Sequence, residues 1–521
     1  MILDFDDDAV GDDHVGDVCI VGSGPAGLAI AREFLGTATT VLLVESGGAV
    51  PEDDTRRLNH GENVGLGIGL EEGRARAFGG TGTVWPGQCI RLDSSDLQVR
   101  EWVPDSGWPI PGADLGPWYD RAEEWLGIPA KASDEQAWLR FGLVPPALDP
   151  DRLAHKSAVY SPHPDVGALH RPEFDRSDNV RVLLHATAAE VRTGGGTGPG
   201  ELEVRSLSGR VGRVRARTFV LCGGGIENAR LLLLSGIGNT HDAVGRYFQE
   251  HPTIWADVAS DRPAALQEFY GVLGRGKVRY VPRIRLAWPT QREHRVLNAV
   301  ATVVYEEAAT PGIAAAQELS SALQERRRPT RLGRAEVLGA LRDLDRVATA
   351  GYRRFVRGRP SSAPLEGVRL KILVEQAPNP DSRISLSTDC DELGLPKARV
   401  DWRLTESERR TTRVFTDVLD AEFRRLGLGR LTGTDWLDGE DWTSGFEDAY
   451  HPTGTTRMSA DPATGVVDSD CRVHGVPGLY VCGSSVFPTG GYANPTLTIV
   501  ALALRLADHL KAGPAAVPAW R

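Results

Sequence analysis

Long apolar runs are missing from this chain: no stretch approaches the roughly 18 residues that a membrane-spanning helix needs. Paired cysteine spacings are missing as well. The six cysteines, at 19, 89, 222, 390, 471 and 482, are scattered and offer no metal-ligand spacing, so no bound metal is expected. Cys19, Cys222 and Cys482 lie in apolar, strand-like runs and read as buried reduced thiols, which fits a cytoplasmic location. Basic charge is in deficit. A net charge of −11 argues against nucleic acid as a partner and makes a neutral or cationic substrate easier to accommodate. The N-terminal "MILDFDDDAVGDDH" has neither a basic n-region nor an apolar h-region, so residues 1–15 read as a frayed acidic leader and not as a signal peptide. No internal repeat or low-complexity tract interrupts the chain.

What is there has the size and balance of an enzyme. With 521 residues, 41% hydrophobic and 25% charged, two domains or one large domain with inserts is expected. "DVCIVGSGPAGLAIAREFLGTATTVLLVESGG" carries the most information in the first half. A short apolar strand, "VCIV", precedes Gly22, Gly24 and Gly27 in the G-x-G-x-x-G spacing, a helix follows, and a second strand ends in Glu45 and Ser46. Gly22 permits the tight turn, Gly24 lets backbone approach a pyrophosphate, and Gly27 lets helix pack on strand. The helix start at Pro25 and Ala26 offers free N–H groups to phosphates. Glu45, 18 residues beyond Gly27, suits ribose hydroxyls. This is a dinucleotide site, but the motif by itself does not separate FAD from NAD.

Later segments favour FAD. "RVLLHATAAEVR" (181–192) reads as a strand that brings the backbone of Ala189 and Val191 to an adenine. "ARTFVLCGGGIENARLLLLSGIG" (216–238) reads as strand, Gly-rich turn at Gly223, and helix. "GLYVCGSSVFP" (478–488) reads as a further strand ending in Gly483 and Ser484. A nicotinamide domain has no need of a strand from the far C-terminus, whereas a flavin held along its whole length does. "GGYANPTLTIVALALRLADHL" predicts a helix capped by Asn494, with Pro495 at its first position and Thr496 next. Its positive end would suit a flavin pyrimidine edge that gains negative charge, and a nearby amide would suit an alcohol oxygen. "EDAYHPTGTTRM" sets His451 against small and hydroxylated residues that can pack tightly.

Six motifs, "FGGTGTVWPGQ" (78–88), "VGRYFQEHP" (244–252), "VEQAPNPDSRISLS" (374–387), "YHPTGTTRM" (450–458), "DCRVHGVPGLYVCGSSVFP" (470–488) and "ANPTLTI" (493–499), resemble those of the glucose-methanol-choline oxidoreductases, in family order from about residue 15 to 510. The run "SSVFPTGGYANPTLTI" is most similar to bacterial members acting on sugars, the pyranose and C-glycoside oxidases and sugar dehydrogenases. The resemblance implies an α/β fold: an FAD-binding Rossmann-like domain of glutathione-reductase type, on a parallel sheet, interleaved with an α+β substrate domain on an antiparallel sheet. It also implies FAD-dependent oxidation of a CH–OH group to a carbonyl, with His451 as general base, Asn494 as its partner, and hydride transfer to flavin N5. An unperturbed histidine pKa near 6.5 suits such a base. Gly79, Gly80 and Thr81 would pass close to the isoalloxazine. Val84 stands where some members carry a histidine that bonds FAD covalently, so FAD is expected to be noncovalent. His251 and His474, in family-like runs, read as structural.

The expected division is 16–110, 178–252 and 455–521 for a discontinuous FAD domain, and 111–177 with 253–454 for the substrate domain. Residues 310–360 would form a helical, Arg-rich insert or lid. From Glu325 to Pro360 eleven Arg face four acids, a balance of 11 − 4 = +7, read as a solvated face or a docking surface. "KVRYVPRIRLAW" (277–288) and "HRVLNAVATVVYEE" (294–307) read as strands of the substrate-side sheet. The expected substrate is a sugar, a glycoside or another alcohol. The alternatives are an amino sugar or pseudosugar hydroxyl of the aminoglycoside kind, and a flavin-bearing lyase without net redox. Electrons would pass to O2 or to a separate carrier, and an oligomer is possible.

Overall fold

Four short runs carry no charged residue and no polar alternation: VCIV (Val18–Val21), VLLV (Val41–Val44), TFVL (Thr218–Leu221) and LYV (Leu479–Val481), and all are wholly buried. Strands without polar alternation are covered on both faces, as parallel strands are. In the computed structural model they are four consecutive strands of a six-stranded sheet ordered Ile2–Asp4, Val180–Leu184, Val41–Val44, Val18–Val21, Thr218–Leu221, Leu479–Val481, with every pairing parallel. The structure describes residues 1–110, 115–129, 137–193, 198–275, 277–307, 358 and 365–513. The Arg-rich segment 325–360 lies outside the described residues apart from Gly358.

The N-terminus corrects the expected leader. Ile2–Asp4 is the edge strand of the parallel sheet, and Asp13–Val15 pairs with Val211–Arg215 in a four-stranded sheet completed by Pro199–Arg205 and Thr187–Thr193. His185 pins this segment, with Nδ1 2.9 Å from Asp4 Oδ1 and Nε2 3.0 Å from Glu52 Oε2. Apolar Ile2 and Leu3, followed by Asp4, needed only a sheet edge to pair with.

His185 also breaks the single strand expected over 181–192. Its φ of 53° turns the chain between Val180–Leu184 and Thr187–Thr193, two strands that lie in different sheets. The backbone N–H groups of His185 and Ala186 donate to Gly47 and Glu45 carbonyls, so the turn closes over the end of the Val41–Val44 strand.

The substrate side is an antiparallel sheet ordered Arg430–Thr432, Thr253–Ala259, Leu365–Val374, Ala299–Glu307, Val278–Leu286, Leu153–Tyr160, Gln88–Cys89, with Leu273–Arg275 paired to Val278–Leu286. Both strands expected in 277–307 are present and adjacent. Gln88–Cys89 joins this sheet although it falls within 16–110, so that segment serves both sheets. A small third unit pairs Arg383–Cys390, Pro396–Asp401 and Gly61–Asn63. The two halves are locked by a fully buried ion pair, Arg100 to Glu375, at 2.5 and 2.7 Å. All six cysteines are unpaired, and all but Cys390 are buried. Among the described residues no helix is long and apolar enough to cross a membrane.

Candidate active site

The parallel strands end at a cavity of about 870 Å³ that runs to the face of the antiparallel sheet. This is near the upper end for a small-molecule site. At one end stand Gly22, Gly24, Pro25, Ala26, Glu45 and Ser46; at the other stand His451, Asn494, Arg283 and Lys371.

The first end is built from backbone. Gly22 has φ +99°, and a side chain there would strike the Cys222 carbonyl at 2.7 Å. Gly27 does not line the cavity; a Cβ would sit 1.9 Å from the Gly22 carbonyl oxygen, so its role is helix–strand packing. Gly24 is the opposite case, because a Cβ there would meet nothing within 4 Å. The helix Pro25–Arg32 has no side-chain cap, which leaves its first N–H groups for a ligand. Glu45 is buried, with Oε2 accepting from Ser23 N and Oγ (2.9 and 2.6 Å) and Oε1 from Gly47 N (2.9 Å). Burial raises its pKa, while those donors and Arg76 pull it down.

Along the middle, Gly80 and Thr81 line the cavity but Gly79 does not; Gly79 packs its left-handed turn (φ +106°) against Gly167. The adenosine-side wall corrects the expectation for Ala189 and Val191. Ala186, Thr187 and Ala188 line it instead, and the Val191 N–H is committed to Ser235 Oγ at 2.9 Å. The lining residues lie directly after the turn at His185, which no periodicity announces. Gly223, Gly483 and Ser484 all line the cavity. Asn228 ties that corner together, accepting from Gly223 N at 2.7 Å and donating to Ser485 Oγ at 2.9 Å. Glu227, unforeseen in the sequence, lines the wall beneath Arg74, Arg76 and Arg230, which hold its carboxyl far below the usual range against the opposing pull of burial. Val84, which offers no nucleophile, is at the same wall.

These features fit FAD: a Cβ-free cradle at Gly24, an uncapped helix N-terminus for phosphates, and a cavity long enough to join both sheets. Gly22, Gly24, Pro25 and Ala26 would hold its pyrophosphate, Glu45 and Ser46 its ribose, and Pro495 and Thr496 its ring end. The last helix begins one residue later than expected, at Thr496. Asn494 therefore does not cap it, because its amide is used elsewhere.

That use orders the reacting end. Arg283 Nη2 donates to Asn494 at 3.2 Å, and a guanidinium only donates, so the atom facing it is Oδ1. The amide nitrogen Nδ2 then faces His451 Nε2 at 3.3 Å, which makes Nε2 an acceptor. The proton of neutral His451 must therefore sit on Nδ1, which lies 2.8 Å from Nδ1 of His251. Two facing Nδ1 atoms hold one proton between them, so neutral His251 is protonated on Nε2. His251 thus belongs to the site, contrary to its reading as structural; its place in "QEHP" was the available signal. His474 stays away from the site, its Nε2 at the Ser459 carbonyl.

The loop carrying His451 is held from behind. Its N–H lies 2.8 and 2.7 Å from the two oxygens of Glu250, and Glu250 Oε1 also accepts from His251 N at 2.8 Å. Thr455 Oγ1 donates to the Gly225 carbonyl at 2.6 Å, so the small-residue run packs on the Gly-rich turn. Tyr450, just before the histidine, has φ 61°, a conformation that non-glycine residues seldom adopt. Burial drives the His451 pKa well below 6.5, and His251, Lys371 and Arg283 add to this. Burial likewise lowers His251, to about 4, and raises Glu250, to about 8. His451 is therefore neutral at pH 7, its Nε2 lone pair directed at the Asn494 amide on the cavity wall.

Two family models, both described as GMC oxidoreductase, match residues 171–253 and 378–503. The chain is 26% identical to paromamine 6'-oxidase of Streptomyces fradiae, over 95% of this chain and 91% of that protein. It is also 26% identical to C-glycoside 3-oxidase of Arthrobacter globiformis, over 94% and 93%. Among solved structures it is similar to formate oxidase (TM-score 0.56, 16% identity, 96% and 99% covered). Pyridoxine 4-oxidase from Mesorbium loti is similar to the same degree (TM-score 0.56, 17% identity, 96% and 100% covered). Matched on both sides of the paired sheets and aligned with these relatives nearly end to end, the chain belongs to the glucose-methanol-choline (GMC) oxidoreductase family, and is an FAD-dependent enzyme acting on CH–OH donors.

Proposed function

We propose that the enzyme oxidises a hydroxyl of a sugar or glycoside to a carbonyl, with His451 as the general base. The observation that carries this reading is the His251–His451–Asn494 chain, which leaves an unprotonated Nε2 facing the cavity. Bound FAD supplies the two-electron acceptor. A substrate oxygen placed between Asn494 and His451 would receive the amide N–H and give its proton to Nε2; the long 3.3 Å contact between them is suited to such an exchange. As imidazolium forms, the Nδ1 proton already directed at His251 keeps the ring in place and spreads the charge. Burial, with His251, Lys371 and Arg283 adding to it, keeps His451 unprotonated at pH 7, so Nε2 is free to take the hydroxyl proton in the reaction, as a general base must be.

Similarity to C-glycoside 3-oxidase and paromamine 6'-oxidase supports a sugar-like substrate, the second also supporting the amino-sugar alternative. The division into an FAD domain (16–110, 178–252, 455–521) and a substrate domain (111–177, 253–454) is proposed with it, the N-terminal strands now joining the former. The test is anaerobic addition of sugars, glycosides, amino sugars and simple alcohols to the purified flavoprotein. Bleaching of the flavin by a sugar supports the reading, and readmitted air then separates oxidase from dehydrogenase. A flavin that none of these bleaches sinks it and favours a lyase.

A further inference from the structure

Arg283 is buried, 3% exposed, on the cavity wall beside the reacting pair. Its Nη2 donates to Gln88 Oε1 and Asn494 Oδ1, yet Nε and Nη1 have no partner among the described residues. No carboxylate of a described residue pairs with it. Other buried guanidiniums are matched: Arg100 by Glu375, Arg230 by Glu227 and Asp391. Arg457, also short of partners, stacks on Tyr247 at 4.4 Å and does not line the cavity. A buried cation without a counter-charge carries a heavy desolvation penalty, which an anion placed there would relieve.

The sheet register supplies a second cation. Arg283 is directly opposite Thr302, and Thr302 is directly opposite Lys371 on the next strand, so the three stand in one row on one face. All three line the cavity, flanked by Val281, Val304 and Leu373. Lys371 makes no ion pair with a described residue; its Nζ lies 5.9 Å from the Trp255 ring centre. The acids whose charge reaches it, Glu447 and Asp448, act on it only through space, and each accepts a hydrogen bond elsewhere, from Trp255 Nε1 and from Gly69 N. In the same row Lys156 has its own partner, Asp93, at 2.9 Å. A carbinol held at His451 would therefore lie beside two cations that have no ion-pair partner among the described residues.

We propose that the Arg283–Thr302–Lys371 row is an anion-recognition subsite, and that the substrate carries a carboxylate or phosphate group near the hydroxyl that is oxidised. This deepens the proposed function and rests on it. It runs against the overall charge of −11, which by itself favours neutral or cationic ligands. It also ranks an aminoglycoside last.

The test compares D-glucuronate, D-glucose 6-phosphate, D-glucose and D-glucosamine as reductants of the holoenzyme. In parallel, acetate and inorganic phosphate are titrated while the flavin spectrum is followed. One anionic sugar should exceed glucose in kcat/KM by about tenfold or more, with glucosamine slowest, as loss of a charge-assisted hydrogen bond would give. Which of the two anionic sugars leads separates a carboxylate from a phosphate. Arg283→Gln should erase the ranking, and Lys371→Met, at a half-buried position, should reduce it several-fold. A preference for glucose or glucosamine, or a ranking unchanged in both variants, overturns the proposal. So does an Arg283→Gln protein that only loses FAD while keeping the wild-type ranking. If no sugar bleaches the flavin, the sugar reading fails separately. Saturable perturbation of the flavin spectrum by acetate or phosphate, abolished in Arg283→Gln or weakened in Lys371→Met, still decides for the subsite, and its absence against it.

Discussion

The two ends of the cavity are made in different ways. The nucleotide end comes mainly from one contiguous stretch, residues 21–46, and works through backbone: a left-handed glycine, an open cradle and an uncapped helix. The reacting end gathers side chains from residues 250–251, 283, 371, 451 and 494, which meet only because two sheets meet. Local construction tolerates loss of neighbours. Long-range construction depends on buried polar pairs that are costly when broken.

The largest effect should come from Arg100→Ala, which leaves Glu375 buried and unpaired and should cost about 3–5 kcal/mol. A thermal melt showing less than about 1 kcal/mol would mean that the reacting end does not depend on that lock. Next, His451→Ala should lower kcat by at least about a hundredfold with FAD content unchanged. Undiminished turnover would remove His451 as base.

The nucleotide end can be divided by two glycines. Gly27→Ala forces a Cβ onto the Gly22 carbonyl at 1.9 Å and should destabilise the fold by roughly 1–3 kcal/mol. Gly24→Ala places its Cβ in open space, so melting of the apoprotein should be unchanged while FAD affinity falls. Equal effects of the two would contradict the distinction between packing and cradle.

The pH dependences of the two buried groups behind the candidate base have opposite signs. His251 titrates at about 4 in the fold against an ordinary 6.5, so the unfolded chain binds the extra proton between those values and stability falls as pH drops from 6.5 to 4. Glu250 is raised from 4.5 to about 8, so the folded state holds the extra proton and stability falls as pH rises from 4.5 to 8. His251→Gln should flatten the acid-side loss and lower kcat by about tenfold through the misplaced base, and Glu250→Gln should flatten the alkaline-side loss. Urea melts across pH 4–9 would read both, and unchanged slopes would show that neither group is held as its burial requires.

Much of the nucleotide end was legible because its chemistry is local. The glycine spacing, the strand before it and the acid after it are all within reach of one supersecondary unit, and Gly22, Gly24 and Glu45 stand where the spacing put them. Errors arose where partners were distant. The leader was an edge strand, because a pairing partner 180 residues away cannot be seen in its composition. The 181–192 strand was two, because His185 turns over a neighbouring strand. Asn494 looked like a cap, since Asn before Pro is a good helix start, but Arg283 and His451 claim its amide.

The sequence by itself therefore determined most of the elements and the dinucleotide end, and singled out His451 as the candidate base, since periodicity, glycine spacing and short motifs encode contacts within a few residues. Only the tertiary structure decided the tautomer of His451, the partnership with His251 and the unpaired row of Arg283 and Lys371. Those depend on burial and on register between strands far apart in the chain, and electrostatics in a low-dielectric interior is set by which groups end up adjacent.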